Sequence, residues 1–404
     1  MKVLLVCEDI PATALGGLGK HVVALGHALM DAGHEVALMG RDQPSYEHCA
    51  AEVGFRGRFI AGFGNPFPGW KERQLGVAVP AKRPHVARRI AQAILAHAGE
   101  FDVVHYHGHH PMVGRYLPVE LNFLQTRHDQ GSDCITHVRF RDGQVCRATD
   151  PAACAGCMHP APGPLRSLVT AAAVKRYRRE TAEAFARHPV VFVSEFLRRN
   201  ARRTLPETAF ARSAVVHNFC DEQALARLPK ANPGAGFTVH VAGRLEPAKG
   251  ILAFLQRLAP RLPANWTVNV FGDGPLRTAV AKISQANGIK WHGHTSLSET
   301  LASAAASDVV VMPSQWEEPF GMVTLEALRL GKRCLALDLG GTPELVAYGS
   351  PGQLALFSDL DALVEHLLAG LPAVSPGGES ASVQARLPEL LRLYQRQSLP
   401  DGQT

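Results

Sequence analysis

The chain has 404 residues, 46% of them hydrophobic and 19% charged, with a formal net charge of +6 and a mean hydropathy of −0.03. That length supports two domains with full cores, and that balance describes a soluble globular protein. No run reaches the ~18 apolar residues of a membrane span, and the positive excess is too thin for a nucleic-acid stripe. The opening Met1-Lys-Val-Leu-Leu-Val-Cys-Glu-Asp9 turns acidic too soon for a signal peptide. The expected location is therefore the cytoplasm, where thiols stay reduced.

Lys2–Cys7 reads as a buried parallel strand. A loop with Gly16, Gly17 and Gly19 follows, then a helix from about Lys20 to Ala32 and a strand at Val36–Met39. This βαβ unit sets its glycine loop at the carboxyl end of a strand, where such folds bind ligands. The loop lacks the G-x-G-x-x-G spacing, which argues against a dinucleotide. Gly62–Gly69 reads as a loop and Arg83–His97 as a helix. Phe101–Gly108 is a strand ending in histidines, with His105 and His107 on one face and Tyr106 on the other. A metal site at those histidines finds no carboxylate at matching spacing. Phe123–Asp129 is a further strand, ending at His128.

Cys134, Cys146, Cys154 and Cys157 then fall within 24 residues, half of the eight cysteines in the chain. Only Cys154 and Cys157 have the tight spacing of a zinc knuckle. The surrounding stretch has little core to hold it, so a structural zinc on the four thiolates is expected to staple it. Free thiols, an iron–sulfur cluster and a disulfide remain alternatives, with His137 and His159 as spare ligands. Residues 165–188 form a long helix bearing Lys175, Arg176, Arg178 and Arg179, and Arg198, Arg199, Arg202 and Arg203 add a second basic run. These are either solvated faces or a surface that rests on anionic headgroups. Pro189–Ser194 is the last strand of the first half, and the domain boundary is expected near Leu205–Arg212.

The second half opens with a short strand at Ser213–Asn218. Phe237–Ala242 is a strand running into Gly243-Arg244 and Lys249-Gly250. Two cations held at a strand's carboxyl end can neutralise a diphosphate as a bond to it breaks. Trp266–Phe271 leads to Gly272, and Ile289–Gly293 is another strand. Asp308–Pro313 runs into Ser314-Gln-Trp-Glu-Glu318-Pro-Phe320-Gly321-Met322 and a helical pattern carrying Glu326. Glu318 and Glu326 stand roughly 12 Å apart along a helix axis, with Pro319 suited to the first turn. The N–H groups of Phe320, Gly321 and Met322 would then face an anion. A phosphate in the middle with hydroxyls at each end describes a nucleotide sugar. Thr342 and Pro343 mark a helix start beside the same edge.

Glu318-Pro-Phe-Gly-x4-Glu326 resembles the E-x7-E signature of retaining glycosyltransferases of the GT-B fold, family 4 in particular. Gly243-Arg244-x4-Lys249-Gly250 resembles that family's Gly-Arg-x4-Lys-Gly motif. The Gly16-Gly17 loop, the strand ending in His128-Asp129 and the cysteine-bearing insertion are similar to the family's as well, so the likeness covers nearly the whole chain. It implies two Rossmann-like, doubly wound α/β domains facing across a cleft. Residues 1–204 would be the acceptor-side domain, with the Cys-rich insertion at 130–160. Residues 205–378 would bind the nucleotide sugar, and 379–404 would carry a helix crossing back to the first domain.

The resemblance also implies roles. Arg244 and Lys249 would contact the diphosphate, Glu318 the sugar hydroxyls and Glu326 the ribose. Gly16, Gly17, Gly243, Gly272, Phe320, Gly321 and Met322 would line the donor, and His107 would stand on the acceptor side. His128 would lie near the reacting oxygen, where either it or a phosphate oxygen of the leaving group takes the proton. The expected activity is retaining transfer of a sugar from a nucleoside-diphosphate sugar to a hydroxyl acceptor, whether glycan, lipid-linked or small-molecule. No metal is expected in catalysis, nor any nucleic-acid partner, and the enzyme could rest peripherally at the inner face of the membrane. A phosphorylase or epimerase of the same fold, and a non-catalytic nucleotide-sugar binder, are the alternatives.

Overall fold

The computed structural model describes residues 1–10, 17–41, 54–64, 83–157, 162–228, 236–285, 288–372 and 374–395. Gly16, residues 65–69 of the early glycine and proline patch, His159, residues 229–235 and the tail from Pro400 lie outside them.

The chain divides into two units. The first holds Met1–Arg139, Arg147–Phe219 and the chain from Val383 on; the second holds Phe140–Cys146 and Cys220–Ser382. In chain order the strands are β1 (Lys2–Cys7), β2 (Glu35–Arg41), β3 (Arg58–Phe63), β4 (Val103–His107), β5 (Phe123–Arg127), β6 (Phe140–Arg141), β7 (Gln144–Val145), β8 (Val190–Phe192) and β9 (Ser213–Val215). There follow β10 (Phe237–Ala242), β11 (Trp266–Phe271), β12 (Ile289–Trp291), β13 (Val309–Met312), β14 (Arg333–Leu337) and β15 (Leu354–Phe357).

The first sheet runs β3-β2-β1-β4-β5-β8-β9, with every neighbouring pair parallel. Its two faces follow from strand alternation. Leu4, Val6, Val104 and Tyr106 pack with Val86, Ile90 and Ile94 of the helix Arg83–His97. Val3, Leu5 and Val103 pack on the other face with Val22, Leu25 and Leu29 of the helix Gly17–Asp31. Leu387, Leu390 and Tyr394 of the helix Val383–Gln395 join that second face. The expected boundary at Leu205–Arg212 is displaced to Phe219, because Ser213–Val215 pairs in parallel with β8 and extends the first sheet. The insertion is likewise divided, since Phe140–Cys146 groups with the second unit.

The second sheet runs β12-β11-β10-β13-β14-β15, again parallel throughout. The helices Ile251–Leu258 and Leu360–Leu368 cover one face, burying Phe254, Leu258, Leu363 and Leu367 against Val239, Val268 and Val309. In both units the first strand has its successor in the fold on one side and a later strand on the other. The chain therefore reverses direction of growth between β1 and β4, and between β10 and β13. At such a point the loops leaving the two strands diverge and open a crevice at their carboxyl ends. Among the described residues no helix is long and apolar enough to cross a membrane.

The two loops at the β10/β13 switch interlock. Gly250 has φ +66, and a Cβ there would stand 1.9 Å from the Pro313 carbonyl oxygen. Gly250→Ala is therefore expected to destabilise the protein by about 2 kcal/mol or more, from left-handed strain and a backbone clash together. Denaturant unfolding measures it, and a loss near zero would mean that the two loops do not hold each other.

Candidate active site

In the second unit the site grows from the carboxyl ends of β10 and β13. After β10 the chain passes Gly243 and Arg244, makes a short 3-10 turn at Pro247–Lys249, and enters the helix at Ile251. After β13 it runs from Pro313 to Gly321, where the helix Met322–Arg329 begins. Gln315 N and Trp316 N both donate to the Ala248 carbonyl, at 2.9 and 3.2 Å, so the two loops share one acceptor. Lys249 Nζ then reaches Glu318 Oε1 at 2.7 Å. Ser314 Oγ donates to the same oxygen at 2.7 Å, and the Lys249 ammonium sits 4.9 Å from the centre of the Trp316 ring.

Glu318 is only 7% exposed. Burial alone would raise its pKa, but the Lys249 charge and the bonds from Lys249 and Ser314 outweigh burial and hold the carboxyl below its ordinary range. The chain behind it is clamped by Gly341 N donating to the Glu318 carbonyl at 2.7 Å. Gly341, rather than Thr342, caps the 3-10 helix Thr342–Tyr348. Arg244 is more open, half-exposed and paired with Glu246 at 3.2 Å.

The helix at Met322 has Gly321 as its N-cap, at φ +95, and no side chain caps it. Its first-turn amides carry the positive end of the dipole, and the cap residue itself brings no side-chain acceptor to them. Phe320 is buried against Tyr348 rather than lining open space. Glu326 lies in the second turn, half-buried, and its charge adds to burial in pushing the Cys220 thiol up to about 12. Gly272 follows β11, with its Cα face against the Gly243 carbonyl. Lys249, Glu318, Ser314, Gly243 and the uncapped helix end are therefore neighbours around one switch point, as their spacing in the sequence implied.

In the first unit the β1/β4 switch gathers residues that the sequence did not single out. Tyr106 donates its hydroxyl to Glu8 Oε1, and His109 N donates to Glu8 Oε2 at 2.7 Å. Next to it, His109 lies between Asp129 Oδ2 at 2.8 Å and Asp9 Oδ1 at 3.2 Å. Burial opposes the charge on His109, but the two carboxylates outweigh it and raise its pKa well above the ordinary value. Asp129 also takes His137 Nδ1 at 3.0 Å and the Gly131 amide at 2.8 Å. The signal for these residues was faint: Glu8 and Asp9 end the first strand, and Asp129 follows His128.

His105 and His107 share one face, their ring centres 3.9 Å apart, while Tyr106 lies in the opposite core. His107 Nδ1 meets His128 Nε2 at 3.0 Å. His21, from the helix Gly17–Asp31, joins them 4.7 Å from the His128 ring and stacks on Phe219. Burial pushes His21 and His105 down to about 3 and carries His107 and His128 well below their ordinary value. His128 is half-buried, and His21 and Arg127 further discourage its protonation. Gly17 is the exposed first residue of its helix.

Around the cysteine insertion several arginines hold the chain. Arg139 pairs with Asp133, Arg178 binds the carbonyls of Asp133 and Thr149, and Arg203 Nη2 donates to the Arg147 carbonyl at 2.7 Å. Cys134 and Cys146 lie half-buried beside them, as do Cys154 and Cys157. Among the described residues, the groups whose ligand atoms converge within 4.8 Å are His21–His107–His128 and His109–Asp129–His137, without any of the four. As placed, the thiols do not make a four-sulfur site.

Glu8 carries a pH test. Burial raises its pKa from 4.5 to about 7. Between those values the folded chain holds a proton that the unfolded chain has lost, so stability falls as pH rises through the window, by about 3 kcal/mol. Denaturant unfolding of wild type and Glu8→Gln across pH 4.5–7 should show wild type losing ground to the variant by that order. A difference that does not change with pH would reject the buried, protonated carboxyl.

The family model described as Glycosyltransferase Family 4 matches residues 15–224, and that described as Glycosyl transferases group 1 matches residues 236–371. Glycogen synthase of Mycobacterium tuberculosis is 26% identical over 381 residues, covering 87% of this chain and 81% of its own. A phosphatidyl-myo-inositol mannosyltransferase of Mycolicibacterium smegmatis is 24% identical, covering 91% of this chain and 84% of its own. Among solved structures, sucrose-phosphate synthase of Thermosynechococcus elongatus superposes with a TM-score of 0.67 at 17% identity, over 98% of this chain and 99% of that one. Anabaena Alr3699/HepE in complex with UDP-glucose gives 0.57 at 16% identity, over 98% of each chain. These likenesses place the paired parallel α/β units in the GT-B fold.

Proposed function

The chain belongs to glycosyltransferase family 4, and from that premise we propose that it transfers a sugar from a nucleoside-diphosphate sugar to a hydroxyl acceptor with retention of configuration. The observation that carries this reading is the Lys249–Glu318 pair at the β10/β13 switch, 2.7 Å long and set beside an uncapped helix end. A diphosphate lying across that crevice would meet the Lys249 ammonium, the Arg244 guanidinium and the amides at Met322. Together they would hold the negative charge that grows on the leaving group as the sugar bond breaks. Glu318, kept ionised by the same lysine, would accept hydrogen bonds from sugar hydroxyls. Glu326, a turn and more along the helix, would take those of the ribose.

No carboxylate in the described second unit is committed to a covalent role by this reading. The acceptor oxygen would approach on the face that the phosphate leaves, and its proton would pass to a phosphate oxygen. His128, neutral and low in basicity, would position the acceptor or sugar by hydrogen bonding rather than take the proton fully. Retention follows from attack on the same face, and the anomeric configuration of the product relative to the donor, read by NMR, decides it.

A thermal-shift panel of UDP-, GDP-, ADP- and TDP-sugars is expected to raise Tm with at least one member at millimolar concentration. No shift with any of them would remove the donor site. Lys249→Ala is expected to lower kcat by ~10²-fold or more, about 3 kcal/mol of lost charge stabilisation. That variant also strands a buried carboxylate. Lys249→Ala combined with Glu318→Gln should therefore regain stability without regaining transfer. Recovery of transfer in the double variant would show that the lysine serves folding alone.

A further inference from the structure

Buried polar groups in folded proteins almost always find a partner. Beside His105, in the cluster of His21, His107 and His128, two ring nitrogens do not. His105 is fully used, with Nδ1 on the Tyr394 hydroxyl at 2.8 Å and Nε2 on Thr126 Oγ1 at 2.7 Å. His107 spends Nδ1 on His128 Nε2, and its Nε2 is buried with no partner, as is His21 Nδ1. A cavity of about 10 Å³ adjoins His21, His105, His107, His217 and Asn218, and the Asn218 side-chain oxygen is also unpartnered. That space suits one water-sized body. One nitrogen from each of His21, His107 and His128 lies within 4.8 Å of the other two.

The donor set names the class of occupant. All three donors are imidazoles, with neither carboxylate nor thiolate in the triad. Magnesium, calcium and manganese seek oxygen, whereas zinc, cobalt, nickel and copper accept neutral imidazole. Tetrahedral zinc with bonds of about 2.0–2.1 Å sets its nitrogens roughly 3.4 Å apart. The His107–His128 pair, at 3.0 Å, is already close to that spacing. The neighbouring group differs: His109, Asp129 and His137 are met by Arg127 and Arg83, which supply positive charge where an ion would stand.

We propose that His21, His107 and His128 form a binding site for a divalent transition-metal ion, and that the ion suppresses sugar transfer by occupying His128. The second half rests on the reading of His128 as an active-site residue; the first half does not. Coordination by His107 Nδ1 and His128 Nε2 replaces their hydrogen bond; its proton moves to the other nitrogen of the same ring, which for His107 is the unpartnered Nε2 beside the cavity, and no oxidation state changes.

The test uses the full chain, stripped with chelator, carrying Cys154→Ser and Cys157→Ser so that thiolates do not compete. Titration with Co²⁺ is expected to fill one site with visible d–d absorption and without a thiolate-to-cobalt band. His21→Gln and His128→Gln are each expected to weaken that site at least tenfold, with circular dichroism and metal-free melting confirming that they fold. Zn²⁺ should inhibit transfer by the otherwise unaltered chain, and His21→Gln should need at least tenfold more, each referred to its own zinc-free rate. A cobalt signal that neither substitution changes, or a crystal showing an ordered water only between the rings, overturns the site. Binding without inhibition overturns the suppression. The zinc-free rate of His128→Gln reports separately on whether His128 serves transfer at all, so failure of the metal site and failure of the transferase reading are told apart.

Discussion

A single ammonium group, Lys249 Nζ, bonds across the point where the second sheet changes its direction of growth, and much of the arrangement follows from that. The lysine leaves the loop after β10, and its partner Glu318 leaves the loop after β13. Each loop also fixes the other through the Ala248 carbonyl, which takes two amides from the opposite side. The pair is nearly dry, and a charge left alone there would cost several kcal/mol. Removing water from such a pair is repaid only when geometry is held tightly, and the interlocked loops hold it. The loop after β13 also ends at Gly321, so the positive end of the helix that starts at Met322 lies at the same switch point.

The first unit solves a different electrostatic problem at the equivalent place. Its switch point carries two neighbouring sets of histidines in opposite states. His109 is flanked by Asp9 and Asp129 and stays charged, whereas His107 and His128 are surrounded by rings and stay neutral. Burial opposes the charge on every one of them; the two carboxylates outweigh it at His109, while neighbouring rings and Arg127 add to it at His107 and His128. Glu8 goes the other way: burial outweighs the nearby His109 charge and raises its pKa to about 7. One strand edge therefore presents a neutral acid, a fixed imidazolium and neutral imidazoles within a few residues.

How much of this could be read in the sequence depended on how far apart the partners lie in the chain. Lys249, Gly250, Glu318 and Gly321 sit in strand–loop–helix units whose hydrophobic runs and turn residues mark the carboxyl ends of strands. Local pattern set each loop at the end of its strand, and the family resemblance joined the two loops into one site. His21 meets His128 across more than a hundred residues, and Glu8 meets Tyr106 across 98. No periodicity encodes such meetings. The boundary was misplaced because three residues of β9 are too short a run to reveal which sheet they extend. The cysteine stretch looked unsupported because its props, Arg139, Arg178 and Arg203, include two from helices or turns far along the chain, and arginines on a basic helix read as solvated.

The helix Val383–Gln395 belongs to the first unit although 163 residues of the second, from Cys220 to Ser382, precede it in the chain. During synthesis the sheet face bearing Val3, Leu5 and Val103 must therefore wait for Leu387, Leu390 and Tyr394. At ~5–20 residues per second that interval is of the order of ten seconds or more. Over that time a greasy face lacks its final cover and His105 lacks the Tyr394 hydroxyl. The nascent first unit thus spends that interval with one face of its core incomplete, and its last helix is the piece that closes it.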